Sequence, residues 1–165
     1  GGPPAGVERA GTPEAADFAL TLTPEGGALH LVPPIGVLGV GCRRGTTAER
    51  LEEAFSAFCA SSGLSPAAVS AAASIDLKKE EPGLAQFCEA HGWPITFYSA
   101  DQLRAVPGQF TPSAFVAGVT GVDNVCERAA AKASGGALLL PKTAGGGVTL
   151  ALAVRPFAPD WRTEQ

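Results

Sequence analysis

The stretch Val37–Arg50, VLGVGCRRGTTAER, gathers residue types from which an anion site is built. Gly39, Gly41 and Gly45 let a backbone bend closely, and a helix beginning just after Thr46 would present unpaired N–H groups at its positive dipole end. Arg43 and Arg44 add planar donors matched to carboxylate or phosphate. No Gly-Lys-Ser/Thr follows, so this is not a P-loop, and the glycine spacing does not fit G-x-G-x-x-G. Alone, the stretch fits an ordinary strand-to-helix connection with solvated arginines equally well. Cys42 is a candidate nucleophile if its arginine neighbours and the helix end lower its pKa; packing, or a place beside an oxyanion, is the alternative.

Three further stretches carry charge or helix starts. SIDLKKEEPGL puts Asp76, Lys78, Lys79, Glu80 and Glu81 at an expected strand end. Ligands of open α/β sheets sit outside the carboxyl ends of strands, and a carboxylate beside a lysine there is a candidate acid–base pair. A solvated charge run is the plainer reading of the same residues. GVTGVDNVCERAA turns at Gly121 into a helix with Asn124 in its first turn and Glu127 one turn in. LLLPKTAGGGVTLALA ends an apolar strand at Lys142, where a lone lysine is usually a surface residue.

The elements that must position these groups follow from periodicity and punctuation. Residues 1–16 are rich in glycine, proline and alanine and are expected to be a flexible leader. Residues 17–33 read as a hairpin, Phe18–Thr23 with Ala28–Val32, around Pro-Glu-Gly-Gly. IGVLGVG is a short apolar strand. Thr46 and Glu49 form a T-x-x-E capping box, and Leu51, Ala54, Phe55, Phe58 and Cys59 recur at helical spacing over 47–60. Ser65-Pro66 opens a short helix, a strand is expected near 72–77, and Pro82-Gly83 opens a helix closed by Gly92. PITFYS is a strand, ADQLRAV a short helix capped by Ser99, and SAFVAGVTGV a strand entering a glycine turn. Val122 to Ala133 form a helix, then ALLLPK and VTLALAVR form a hairpin. The alternation predicts a three-layer α/β/α sandwich with a mixed, mostly parallel sheet and an antiparallel C-terminal hairpin.

Bulk numbers narrow the function. At 165 residues and 45% hydrophobic content the chain suits one folded domain. It does not begin with methionine, so it reads as a processed or excised piece. A net charge of −4 argues against nucleic acid as a partner and requires any anion to be held by a local cluster. The four cysteines include no C-x-x-C, so no zinc or redox framework is expected, and Cys59, Cys88 and Cys126 read as buried thiols. No apolar run nears the roughly 18 residues of a membrane span, and the expected compartment is the cytoplasm.

Together and in this order, GVGCRRGT, SIDLKKEEPGL, GVTGVDNVCERAA and LLLPKTAGGGVTLALA resemble the C-terminal domain of CbiG and its stand-alone relative CobE, of cobalamin biosynthesis. The resemblance spans Ile35 to about Val154, so 34–156 is the expected domain and 157–165 a tail. Residues 17–33 resemble the end of the region that precedes this domain in CbiG. The complete CbiG-type enzyme is cobalt-precorrin-5A hydrolase, which opens a δ-lactone on the macrocycle and releases acetaldehyde. CobE-type proteins have a less defined role. The cysteine of GCRR looks more like the CbiG version. A further N-terminal domain of CbiG has no counterpart here, so binding is expected to survive in this piece better than catalysis.

The resemblance implies a precorrin or cobalt-precorrin as partner, besides other corrin-pathway enzymes, with cobalt carried by the substrate and no cofactor or metal of the protein's own. Glu81 and Lys78 become the leading catalytic pair, with Cys42 third and Asp76 or Glu127 as alternative bases. Gly39, Gly41, Arg43, Arg44, Gly45, Thr46, Asp76, Gly121, Asn124, Glu127 and Lys142 become candidate substrate-binding residues. The competing readings are a CobE-like handling protein without catalysis and, outside the family, a phosphate- or nucleotide-binding module.

Overall fold

Val37, Leu38 and Val40 are all fully buried, although successive side chains of a strand point to opposite faces. The strand that carries them is therefore covered on both sides, which is why it reads as a continuous apolar run. The computed structural model describes residues 3–12, 15–26, 29–111 and 122–159. Its main sheet has five strands: β3 (Gly36–Cys42), β4 (Val69–Ile75), β5 (Ile95–Tyr98), β6 (Ala137–Gly145) and β7 (Val148–Val154), in the order β5-β4-β3-β7-β6. β3, β4 and β5 pair in parallel, while β7 runs antiparallel to both β3 and β6. Only β7 therefore opposes the common strand direction.

Two helical layers sandwich the sheet. Leu38, Val40 and Ala72 pack with Leu51, Phe55 and Phe58 of α1 (Ala48–Ser62) and Leu84 and Phe87 of α2 (Pro82–His91). Val37, Ala71 and Ala73 face Val125 and Ala129 of α4 (Val125–Ser134) and Leu103 of the short α3 (Ala100–Arg104). The expected α/β/α sandwich with its antiparallel C-terminal hairpin is the observed fold. Among the described residues, no helix is long and apolar enough to cross a membrane.

Several local expectations shift. The cap of α1 is Thr47, whose side chain accepts from Arg50 N at 3.2 Å. Thr46 instead donates its hydroxyl to Arg43 O at 2.8 Å, so the Thr46–Glu49 box does not form. The helix expected at Ser65-Pro66 is a single 3-10 turn, Pro66–Ala68, that runs straight into β4 at Val69. Alanine favours helix locally, but Ala71, Ala72 and Ala73 are buried between flanking strands and both helical layers, and tertiary packing decides. The N-terminal hairpin is also overturned: β1 (Phe18–Leu20) and β2 (Leu29–Leu31) pair in parallel, with Phe18 opposite Leu29. A two-residue turn joins antiparallel strands only, so the hairpin reading of Pro-Glu-Gly-Gly does not hold for this parallel pair. The strand expected at SAFVAGVTGV lies, apart from Val122, outside the described residues.

Gly39 shows what draws α4 down onto the sheet. A methyl group there would overlap the Cys126 carbonyl and press on Ala130 at 3.0 Å. Gly39 is thus a packing position, where the chain's close approach to α4 leaves no room for a side chain. Gly39→Ala should destabilise the fold by about 1–3 kcal/mol, lowering the midpoint of thermal unfolding by roughly 3–10 °C. Calorimetry checks it, and an unchanged midpoint would contradict the close approach.

Candidate functional site

The carboxyl ends of β3 and β4, the start of β7 and the N-terminus of α4 enclose a cleft of about 730 Å³. Gly41, Cys42, Arg43 and Arg44 line it from the first chemical stretch, and Lys78 and Glu81 from the second. Asn124, Val125 and Cys126 come from the α4 start, and Lys142 with Gly147 from the C-terminal hairpin. Arg43, Lys78 and Lys142, far apart in the chain, share one cavity.

Each wall has a local cause. The β6–β7 turn is Gly146-Gly147, with φ of 57° and 81°, the positive pair that a two-residue hairpin turn demands. Its Gly147 carbonyl accepts from Arg43 N at 3.0 Å, which ties the hairpin tip to the arginine bend. Gly45, with φ 75°, donates its N–H to Glu81 Oε2 at 2.9 Å. Glu81 Oε1 lies 3.6 Å from Lys78 Nζ, and both side chains are largely buried. Gly83 completes the contact between bend and α2, because a Cβ there would overlap the Thr46 carbonyl. Glu81, expected as a base, is thus also a clamp joining the bend, the 3-10 turn Asp76–Lys78 and the start of α2.

The charge balance is one-sided. Among the described residues, Arg43, Arg44, Lys78 and Lys142 line the cleft against a single carboxylate, Glu81. Among the described residues neither Arg43 nor Arg44 forms an ion pair. A bound polyanion would supply the missing negative charge.

Other expected residues are placed differently. Glu127 is fully buried and does not line the cleft. Its Oε1 accepts from Thr111 Oγ1 at 2.8 Å and Lys142 N at 2.7 Å, and its Oε2 from Thr111 N at 2.9 Å. Burial alone would raise its pKa, but the bonds from Lys142 and Thr111 outweigh that and hold it below the ordinary value. It is a structural anchor for the strand that carries Lys142. Asn124, in the left-handed region at φ 49°, caps α4: its Oδ1 accepts from Glu127 N and Cys126 Sγ, and its Nδ2 donates to Thr111 O. Asp76 is exposed at the start of its turn and, like Thr46, is not part of the cleft wall. Gly121 lies outside the described residues.

The expected activation of Cys42 is reversed. Burial pushes its thiol up, Glu81 adds to the rise, and Lys78 and a hydrogen bond with Thr46 only partly oppose it. The neighbouring arginines are not among the groups that shift it. Cys59, Cys88 and Cys126 are buried as expected, their thiols pushed up to about 11.

Sequence reasoning missed three contributors. Thr149 lines the cleft with its hydroxyl in the space that a Cβ on Gly41 would fill, so that glycine makes room for a donor on the neighbouring strand. Arg128 bonds Asp123 Oδ1 at 2.8 Å and the Leu103 and Val106 carbonyls, and covers the Phe110 ring at 4.6 Å, fixing the α4 start against the segment after α3. Its only sequence signal is the Asp123–Arg128 spacing across a helix start. Ile75, Leu77, Val125 and Val148 give the cleft an apolar floor that a search for charged residues passes over.

Comparison with known proteins places this geometry. The family described as "Cobalamin synthesis G C-terminus" matches residues 36–153. The chain is 36% identical over 134 residues to the cobalt-precorrin-5A hydrolase of Priestia megaterium, covering 81% of this chain and 35% of that protein. It thus spans about a third of that relative's length. Protein CobE of Sinorhizobium sp. is 33% identical over 120 residues, 71% of this chain and 78% of that one. The crystal structure of CobE, a protein from the cobalamin (vitamin B12) biosynthetic pathway, superposes with a TM-score of 0.66 at 35% identity, covering 74% of this chain and 92% of that one.

The depressed pKa of Glu127 fixes a sign for pH. Its contribution to stability is complete above the ordinary carboxyl value of 4.5 and is lost as pH falls through the lower folded-state value. Glu127→Gln turns one acceptor into a donor facing N–H groups, and should cost about 2–4 kcal/mol at pH 7. Urea unfolding from pH 3 to pH 7 should show a shallower acid limb in the variant than in the parent. Equal stability at pH 7 would contradict the anchor.

Proposed function

This chain belongs to the cobalamin synthesis G C-terminus family, and on that premise we propose that its cleft binds a polycarboxylate corrin precursor, as the C-terminal domain of a cobalt-precorrin-5A hydrolase. The observation that carries the proposal is the charge distribution. A protein of net charge −4 puts Arg43, Arg44, Lys78 and Lys142 around one cavity and, among the described residues, sets a single carboxylate with them. A precorrin, with acetate and propionate carboxylates around a broad, partly apolar ring, complements that pattern. Arginines take carboxylates in bidentate fashion, and Lys78 and Lys142 act as point charges deeper in the wall.

For lactone opening, a water oxygen adds to the lactone carbonyl carbon, its proton passes to Glu81, and the ring C–O bond breaks to leave a carboxylate and a hydroxyl. Lys78, 3.6 Å from Glu81, is placed to stabilise the oxyanion that develops. Acetaldehyde then leaves by a retro-aldol-like cleavage: the freed hydroxyl gives up its proton as its carbon becomes the aldehyde, the C–C bond to the macrocycle breaks, and the ring carbon keeps the electron pair and takes up a proton. Cys42, pushed toward the thiol form, serves as a packed wall residue in this scheme and not as a nucleophile. Because the chain spans only about a third of the hydrolase relative, the full reaction is proposed to need more of that longer protein than this domain. Cobalt arrives with the substrate and no cofactor is assigned.

A second reading is a CobE-like protein that binds or hands on a precorrin without catalysis; its support is the superposition with CobE at a TM-score of 0.66 and 35% identity. Both readings use the same cleft.

Spectroscopic titration with a cobalt corrinoid bearing free carboxylates tests the shared claim. Arg43→Ala with Arg44→Ala should weaken binding by about a hundredfold or more, at roughly 1.5–3 kcal/mol per charged contact, with thermal stability unchanged. Cys42→Ser should leave affinity within about twofold. An unaltered titration curve for the arginine pair would remove the cleft as the binding site.

A further inference from the structure

Leu77 is 62% exposed, yet it lines the cleft. It occupies the middle of the 3-10 turn Asp76–Lys78, between the end of β4 and the lysine paired with Glu81. The other large apolar side chains of high exposure, Leu20, Leu29, Leu31, Leu139 and Phe157, lie elsewhere. A solvent-facing turn position has no need of an apolar side chain, and a polar residue there would cost the fold nothing. Ile75, Val125 and Val148, all buried, line the same cleft and add to its apolar surface. Exposed leucine, apolar floor and surrounding cations thus form one surface with two chemistries.

Small or open-chain anions use only half of that surface. Phosphate, or a flexible polycarboxylate, is served by the arginines and lysines and leaves the leucine in water. A flat apolar ring with carboxylates on its periphery uses both halves at once. We propose that Leu77 is a specificity-determining residue: it lies against the apolar body of the ligand while Lys78, next in sequence, and the arginine pair take peripheral carboxylates. The cleft then selects amphiphilic ring polycarboxylates over open-chain ones. This inference rests on the polycarboxylate reading of the cleft and adds the origin of its selectivity.

The test compares two probes on the full chain: uroporphyrin, an octacarboxylate tetrapyrrole, and butane-1,2,3,4-tetracarboxylate, which has no ring. Leu77→Asn should weaken uroporphyrin binding by about tenfold, the worth of burying most of one leucine side chain, and leave the open-chain anion within about twofold. Leu77→Phe should preserve uroporphyrin affinity. Because Leu77 is exposed, neither change should move the unfolding midpoint. If Leu77→Asn leaves uroporphyrin unaffected while the arginine double variant weakens both probes, the leucine proposal is overturned and the cleft reading stands. If Leu77→Asn weakens both probes equally, the residue acts on cleft shape and the proposal is also overturned. If the parent chain binds neither probe, both the inference and the reading beneath it fall.

Discussion

One buried carboxylate holds the cleft together. Cations gathered at one sheet edge repel one another, and the fold answers with a single internal counter-ion, Glu81. Its two oxygens do separate work: one accepts the Gly45 amide at 2.9 Å and so fixes the arginine bend, and the other sits 3.6 Å from Lys78. Removing one partner from such a buried arrangement leaves an uncompensated charge, which is far costlier than the pair is stabilising. The clamp thus sets the cleft's shape while leaving Arg43 and Arg44 without a carboxylate among the described residues. A site preorganised with unspent positive charge binds an anion without first breaking internal pairs.

The sheet topology brings the charges to one place. Parallel β3 and β4 both end at the cleft, so the arginine bend and the Lys78 turn emerge side by side. The antiparallel hairpin returns the chain to the same rim and delivers Lys142 and the glycine turn. Glu127 then fixes the Lys142 backbone from behind, and Asn124 fixes the helix that carries Glu127. Close approach at Gly39 and Gly83, where no Cβ fits, draws α4 to the sheet and α2 to the bend. The cleft wall is the outer layer of a packing problem solved mostly by glycines and two buried carboxylates.

The alternation of apolar runs and capped amphipathic segments made the sandwich legible, because both periodicities are local. What was not legible depended on distant partners. Nothing near Glu127 in sequence indicates that Thr111 and Lys142 will saturate its oxygens. Cys42 sits beside two arginines in the chain, yet burial, with Lys78 and Glu81 more than thirty positions on, governs its thiol. The strand expected near 72–77 is present as Val69–Ile75, and only its early start, directly after a 3-10 turn, had no local signal. The parallel pairing of β1 and β2 likewise escapes a turn motif that is compatible with a hairpin. Leu77 escaped because an exposed leucine carries no periodic signal at all.

The central claim is that the ligand occupies the cleft at the carboxyl ends of β3 and β4. Amide chemical-shift mapping during titration with a carboxylate-bearing corrinoid tests it most directly. The account predicts the largest saturable shifts at Gly41–Thr46, Leu77–Glu81, Asn124–Cys126 and Lys142–Thr149. Shifts confined to the opposite side of the sheet, such as the groove between α1 and α2 around Glu49, Glu52 and Phe87, would contradict it.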